Sequence, residues 1–168
     1  MDTRTDLPAR PSTLVTALDA VAAPLGRGEA RRWLSGELLG HPLHPMLTDL
    51  PIGFWTSSMF LDLTAPRSGS KASRRLIAVG LLSAVPAAMA GLSDVTTIKD
   101  PAVRAKGALH AALNGGAVVC YGASWVMRHR NIHRGKVVAM VGGVLATAAG
   151  YLGGQLAFPS APADAEPA

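Results

Sequence analysis

Four long apolar blocks, separated by short polar segments, dominate the chain from residue 46 to residue 158. They cover 46–65, 76–98, 107–127 and 137–158, and each has about the 20 residues a helix needs to cross a hydrocarbon core of about 30 Å. None alternates apolar and polar positions as a strand would, and only helices and closed barrels satisfy their backbone in lipid. A soluble bundle would carry charge down one face of every helix, and these blocks do not. The pattern predicts an all-α integral membrane protein, a bundle of four transmembrane helices. Pro51 and Pro86 are expected to kink the first and second spans or to mark turns in them. In the fourth span Ala146, Gly150 and Gly154 recur every four residues, a spacing that lets another helix approach closely. Gly115, Gly116 and Gly122 add small residues to the third. Such faces serve packing within the chain and oligomer formation equally well.

The first 44 residues read differently. Leu14, Val15, Leu18, Val21, Ala22 and Leu25 recur at helical spacing, and Pro24 and Gly26 end the run. A second short run places Trp33, Leu34 and Leu38 among Arg31, Arg32 and Glu37. Both predict amphipathic helices on the membrane surface or against the bundle. Residues 159–168 are rich in proline, alanine and acidic side chains, the composition of a disordered tail. The chain thus divides into an interfacial segment (1–44), a four-helix transmembrane domain (45–158) and a tail (159–168).

Composition refines this picture. The mean hydropathy of +0.27 is mild only because the blocks are averaged with polar ends. Sixteen Lys+Arg against eleven Asp+Glu give a net charge of +5, but the positive residues sit between the apolar blocks and form no basic helix with interleaved aromatics. Nucleic acid is therefore not an expected partner; the lipid bilayer is. The single cysteine, Cys120, rules out an internal disulfide and a cysteine-based metal site on this chain alone. The N-terminus has no cleavable signal pattern. Arg67, Lys71, Arg74 and Arg75 follow the first span, and Arg128, Arg130, Arg134 and Lys136 follow the third. The opposite side carries fewer nearby charges, so these two loops are expected in the cytoplasm and both termini outside it.

The most specific local signal is Gly40-His41-Pro42-Leu43-His44-Pro45-Met46, at the entry to the first span. Two prolines stiffen the backbone around His44, which suits imidazoles held at a fixed separation. Span parity brings further polar residues to the same side: His110 and Asn114 at the start of the third span, Asp94 at the end of the second, Asp49 in the first and Gln155 in the fourth. Polar residues inside spans are costly and usually face the bundle interior. Three chemistries fit. A transition metal could take His41, His44, His110 and Asp94, with Asp49, Asn114 and Gln155 in support. A b-type haem could use His44 and His110 from different helices. A hydrogen-bond network fixing helix register would need no cofactor. Asp62, at the other end of the first span, is expected to pair with Arg67 or to sit at a helix contact. Trp55 suits the interior and Trp125 an interfacial belt. No phosphate loop and no nucleophile with an oriented base is present, so no enzymatic reaction is indicated.

Gly40-His-Pro-Leu-His-Pro-Met-Leu-Thr-Asp-Leu-Pro-Ile-Gly53 resembles the hallmark of an uncharacterised bacterial four-span membrane family. Gly91-Leu-Ser-Asp94, His110-Ala-Ala-Leu-Asn114 and Gly150-Tyr-Leu-Gly-Gly-Gln155-Leu extend the resemblance over about residues 30–158. Some members continue into a C-terminal Rieske-type iron–sulfur domain, so the resemblance implies a bacterial inner-membrane location and redox company. Two departures bear on this. Gln155 stands where many relatives have histidine, and no cysteine–histidine domain follows, so a Rieske-type partner would be a separate chain. The expectation is a redox-associated membrane module with a metal- or haem-binding or partner-docking cluster on its outer face. The alternative is a non-catalytic structural or assembly subunit of a membrane complex.

Overall fold

A computed structural model describes residues 12–158, and within them the chain is all-helical, with six α-helices and no strand. The expected tail at 159–168 lies outside the described residues. Two short helices, α1 (Thr13–Ala22) and α2 (Gly28–Leu34), precede four long ones: α3 (Leu43–Thr64), α4 (Ser70–Val95), α5 (Pro101–Met127) and α6 (Ile132–Ala157). A single 3-10 turn at Glu37–Leu39 leads into α3. Gly36 before it has φ +78°, and a Cβ there would stand 1.9 Å from the His41 carbonyl oxygen. Only glycine fits this turn.

The long helices begin earlier than the apolar blocks, and in α5 and α6 the start is set by a side-chain cap. Asp100 accepts from the backbone N–H groups of Ala102 and Val103, with Pro101 in the first turn, an arrangement in which the missing proline N–H costs nothing. Asn131 caps α6 through Arg134 N–H. The basic residues expected in loops therefore lie partly on helical turns. Pro51 and Pro86 both sit inside uninterrupted helices.

α3 packs along α4, and α5 along α6. The two hairpins meet through α4 against α5 and α3 against α6. Their shared core is Trp55, Ile77, Ala84, Tyr121 and Ala139. α1 lies across one end, where Val15, Leu18 and Ala22 pack on Val95 and Ala108. There the Arg104 guanidinium donates to Asp19 and to the Ile98 carbonyl, and Ser93 Oγ donates to the Leu25 carbonyl at 3.1 Å. Of the two placements expected for this segment, α1 adopts the one against the long helices.

Two of the long helices, α4 and α6, are both long and apolar enough to cross a membrane; α3 and α5 are not. The four-span expectation is met in length, since 22 residues rise about 33 Å. It falls short in apolarity, and the cause is local. His44, Ser58 and Asp62 on α3, and His110, Asn114 and Ser124 on α5, lower the averages of their helices. Yet all four expose large apolar residues: Ile52, Phe60 and Leu63, Leu82 and Val85, Val119 and Val126, and Val144 and Tyr151, although α3 also exposes Asp49, Thr56 and Ser57. The small residues of α6 fall on two faces. Gly135, Ala139, Gly142 and Ala149 are buried against α5, whereas Gly150 and Gly154 meet nothing within 4 Å.

Candidate functional site

Polar groups gather at both ends of the hairpin pair, separated by an aromatic layer. At the end where α3 and α5 begin, His44 Nδ1–H donates to the Ala87 carbonyl on α4 at 2.8 Å. His110 Nδ1–H donates to the Ala149 carbonyl on α6, also at 2.8 Å. A carbonyl only accepts, so each neutral ring carries its proton on Nδ1 and its lone pair on Nε2. Each ring lies on a glycine. A Cβ on Gly91 would stand 2.7 Å from His44 Cε1, and one on Gly153 would stand 2.9 Å from His110 Cε1. The two imidazoles face each other across the hairpins with ring centres 6.3 Å apart and planes at 88°. Asn114, one turn along α5, donates to His110 Nε2 at 3.0 Å and to the His110 carbonyl at 3.1 Å.

The other residues expected in this cluster join it unequally. Asp94 is half-buried, on the α4 face that holds Ala87 and Gly91. His41 is exposed and lines a shallow depression with Arg31, Gly36 and Glu37, away from His44. Asp49 is exposed, because five residues past His44 it is turned about 140° round the helix. Gln155 is half-buried but lies two residues past Gly153, which takes it off the face holding His110. Among the described residues no three His, Cys, Asp or Glu side chains are grouped to hold a metal ion. The arrangement is a histidine pair with one amide, and the larger ligand set of four is not assembled.

Below the pair, Trp55 and Tyr121 stack with centroids 4.3 Å apart at 14°. Trp55 rests on Gly80, and Tyr121 on Gly142. Trp125 is half-buried near the far end, with the Arg74 guanidinium 4.9 Å over its ring and His129 against its edge.

At that far end lies a buried ion pair that the sequence reading missed. The Arg128 side chain is 0% exposed and that of Asp62 8%. Arg128 forks onto both carboxylate oxygens of Asp62, and its Nε donates to Ser124 Oγ at 3.1 Å. Ser73 Oγ donates to Asp62 at 2.9 Å and accepts from Arg128 at 3.1 Å. Ser124 Oγ passes its own proton to the Gly135 carbonyl at 2.6 Å. Lys136 closes the end through the carbonyls of Pro66 and Asp62. Of the two expectations for Asp62, the helix contact is the one observed, and its partner is Arg128 in place of Arg67. Position after the third apolar block made Arg128 look like a loop charge. Gly135, one helical hairpin away, was the signal that a long side chain needed room.

Residues 40–161 match the family described as predicted membrane protein (DUF2231), and the chain belongs to that family. No curated protein and no solved structure matches the chain.

Proposed function

We propose that this member of the DUF2231 membrane family is a four-span, redox-associated module of the bacterial inner membrane. Its working centre in this reading is the pair His44 and His110, which holds one transition-metal ion or the iron of a b-type haem. The observation that carries the proposal is the paired tautomer. Both rings are fixed by Nδ1–H bonds to main-chain carbonyls, the outer-shell arrangement that orients metal-ligating histidines and leaves the lone pair on Nε2; on His110 that lone pair accepts from Asn114, which a bound ion would displace. The spacing agrees. An ion about 2 Å from each nitrogen, with each ring centre about 1 Å behind it, puts the ring centres about 6 Å apart when the two nitrogens lie on opposite sides of the ion, as the axial ligands of a haem do, and about 5 Å apart at a tetrahedral angle; the 6.3 Å found fits the first.

Four spans are supported by the large apolar residues that α3 and α5 expose and by the burial of Ser58, Ser124 and the Asp62 side chain within the hairpin pair. The basic residues near the α3–α4 and α5–α6 turns favour the cytoplasm for that end, which puts the histidine end and both termini outside. A separate redox protein, Rieske-type or other, would dock at the histidine end.

The bond from Asn114 to His110 Nε2 favours a second reading, in which the pair is a closed hydrogen-bond layer of a structural or assembly subunit. Metal analysis and an absorption spectrum of the full chain, purified in mild detergent from metal- and haem-replete cells, separate the two. The expected result is about one metal or haem per chain, lost in both His44→Ala and His110→Ala and retained in Asn114→Ala. A Soret band identifies haem, and metal without one identifies a simple ion. Protein that carries neither overturns the cofactor reading and leaves the structural one.

A further inference from the structure

The two hairpins are built alike at their buried positions. Moving α3 along the chain by 66 residues, the separation of Asp62 and Arg128, lays it on α5. Leu43-His44-x-x-Leu47 then falls on Leu109-His110-x-x-Leu113. The buried residues of α3 (Pro51, Trp55 and Ser58) fall on Ala117, Tyr121 and Ser124, all buried in α5. Laying Gly91 on Gly153 does the same for α4 and α6. Val79-Gly80, Ala84 and Ala87 meet identical residues at Val141-Gly142, Ala146 and Ala149. Every buried position of α6 coincides with a buried position of α4.

The contacts repeat with the positions. His44 on Ala87 and Gly91 is matched by His110 on Ala149 and Gly153. Trp55 over Gly80 is matched by Tyr121 over Gly142, and Asp62 beside Ser73 by Arg128 beside Gly135. Equivalent residues also touch each other across the hairpins at three heights: His44 with His110, Trp55 with Tyr121, and Asp62 with Arg128. Only residues on a two-fold axis meet their own equivalents.

We infer that residues 43–95 and 101–157 are two copies of one helical hairpin, related by a pseudo-two-fold axis along the helices, with Asp62 and Arg128 as the specificity-determining pair of their interface. Like meets like on such an axis. Two identical hairpins would bury either two carboxylates or two guanidiniums against each other, and a buried charge without its counter-charge is strongly unfavourable. Divergence at this one position makes each hairpin complementary to the other and repellent to itself. The neighbouring position has diverged to suit. A Cβ at Gly135 would stand 2.5 Å from Arg128 Cγ, whereas Ser73 supplies the hydroxyl that Asp62 accepts from. The inference stands independently of what the histidine pair binds.

Exchanging the two halves' residues in the full chain tests it, with thermal unfolding and monodispersity in detergent as readouts. Asp62→Arg/Arg128→Asp should remain badly destabilised, because Ser73 occupies the space the guanidinium stem needs. Adding Ser73→Gly and Gly135→Ser should raise Tm by at least about 5 °C over the two-fold exchange, short of wild type because Lys136, 3.9 Å from the Asp62 carboxylate, then faces a guanidinium. A four-fold exchange no better than the two-fold one overturns the equivalence. Trp55→Tyr/Tyr121→Trp tests the same axis without a buried charge. The exchange should cost less than either single substitution, and a cost equal to the sum of the singles overturns the inference even when every charge variant fails to fold.

Discussion

Asp62→Asn isolates the most deeply buried ion pair among the described residues. The substitution keeps shape and an acceptor for Ser73 but leaves the fully buried Arg128 guanidinium without a counter-charge. Removing one partner of a buried pair costs about 3–5 kcal/mol. At about 2–4 °C per kcal/mol for a chain of this size, Tm should fall by about 6–20 °C. Lys136 gives no relief: it is a second cation, with Nζ 3.9 Å from the Asp62 carboxylate, and loses the same counter-charge. Removing both charges is a different perturbation. In Asp62→Asn/Arg128→Met, Ser124 keeps its bond to the Gly135 carbonyl, Ser73 keeps the new amide oxygen, and the one cation left, Lys136, is partly exposed and keeps its two carbonyl acceptors. Tm should then return to within about 5 °C of wild type, since buried pairs replaced as a whole by apolar groups are often neutral. Thermal unfolding in one mild detergent at fixed protein concentration reads all three proteins. A single-variant shift below about 2 °C, or a double variant no more stable than the single, would refute the argument that Arg128 is held buried by Asp62.

The glycine seats and the α1 clamp give two further expectations. Gly91→Ala and Gly153→Ala each press a methyl into an imidazole, from 2.7 and 2.9 Å, and each should cost about 1–3 kcal/mol by overpacking. Gly150→Ala, with nothing within 4 Å, should leave Tm unchanged, and equal effects at all three positions would place the rings elsewhere. Arg104→Ala removes the half-exposed clamp on Asp19, so the global Tm should move by less than about 3 °C. Limited proteolysis should nevertheless cut faster at Arg27, between α1 and α2; an unchanged cutting rate would mean that Val15, Leu18 and Ala22 hold α1 by themselves.

What the sequence made legible follows from which physical signal each feature leaves. The long helices were visible because apolar runs of about 20 residues have few alternative uses. Their starts were misplaced because a cap such as Asp100-Pro101 recruits polar turns into a helix. His44 and His110 were placed together by depth alone, counted from the ends of the apolar blocks. Depth is only half of a helical address. Asp49 and Gln155 share the depth of the pair but not its face, since each residue turns the helix by about 100°. Arg128 was misread for the converse reason. Its position at a helix end suggested solvent, while its face points at Asp62.

The weakness of the span signal in α3 and α5 has the same origin as the site. Both helices fall below the apolarity of α4 and α6, and each brings a histidine, a buried serine and, within α3 or just past the end of α5, one member of the ion pair to the axis between the hairpins. Lipid supplies no partner for such groups, so they are tolerable only where they face one another. The pairing of polar with apolar helices, α3 with α4 and α5 with α6, is therefore what a repeated hairpin with an internal polar seam requires. Leu-His-x-x-Leu at residues 43 and 109 recorded that repeat in the sequence. It escaped notice because the residues that recur are the few that touch, spread over helices whose lipid-facing positions are free to differ.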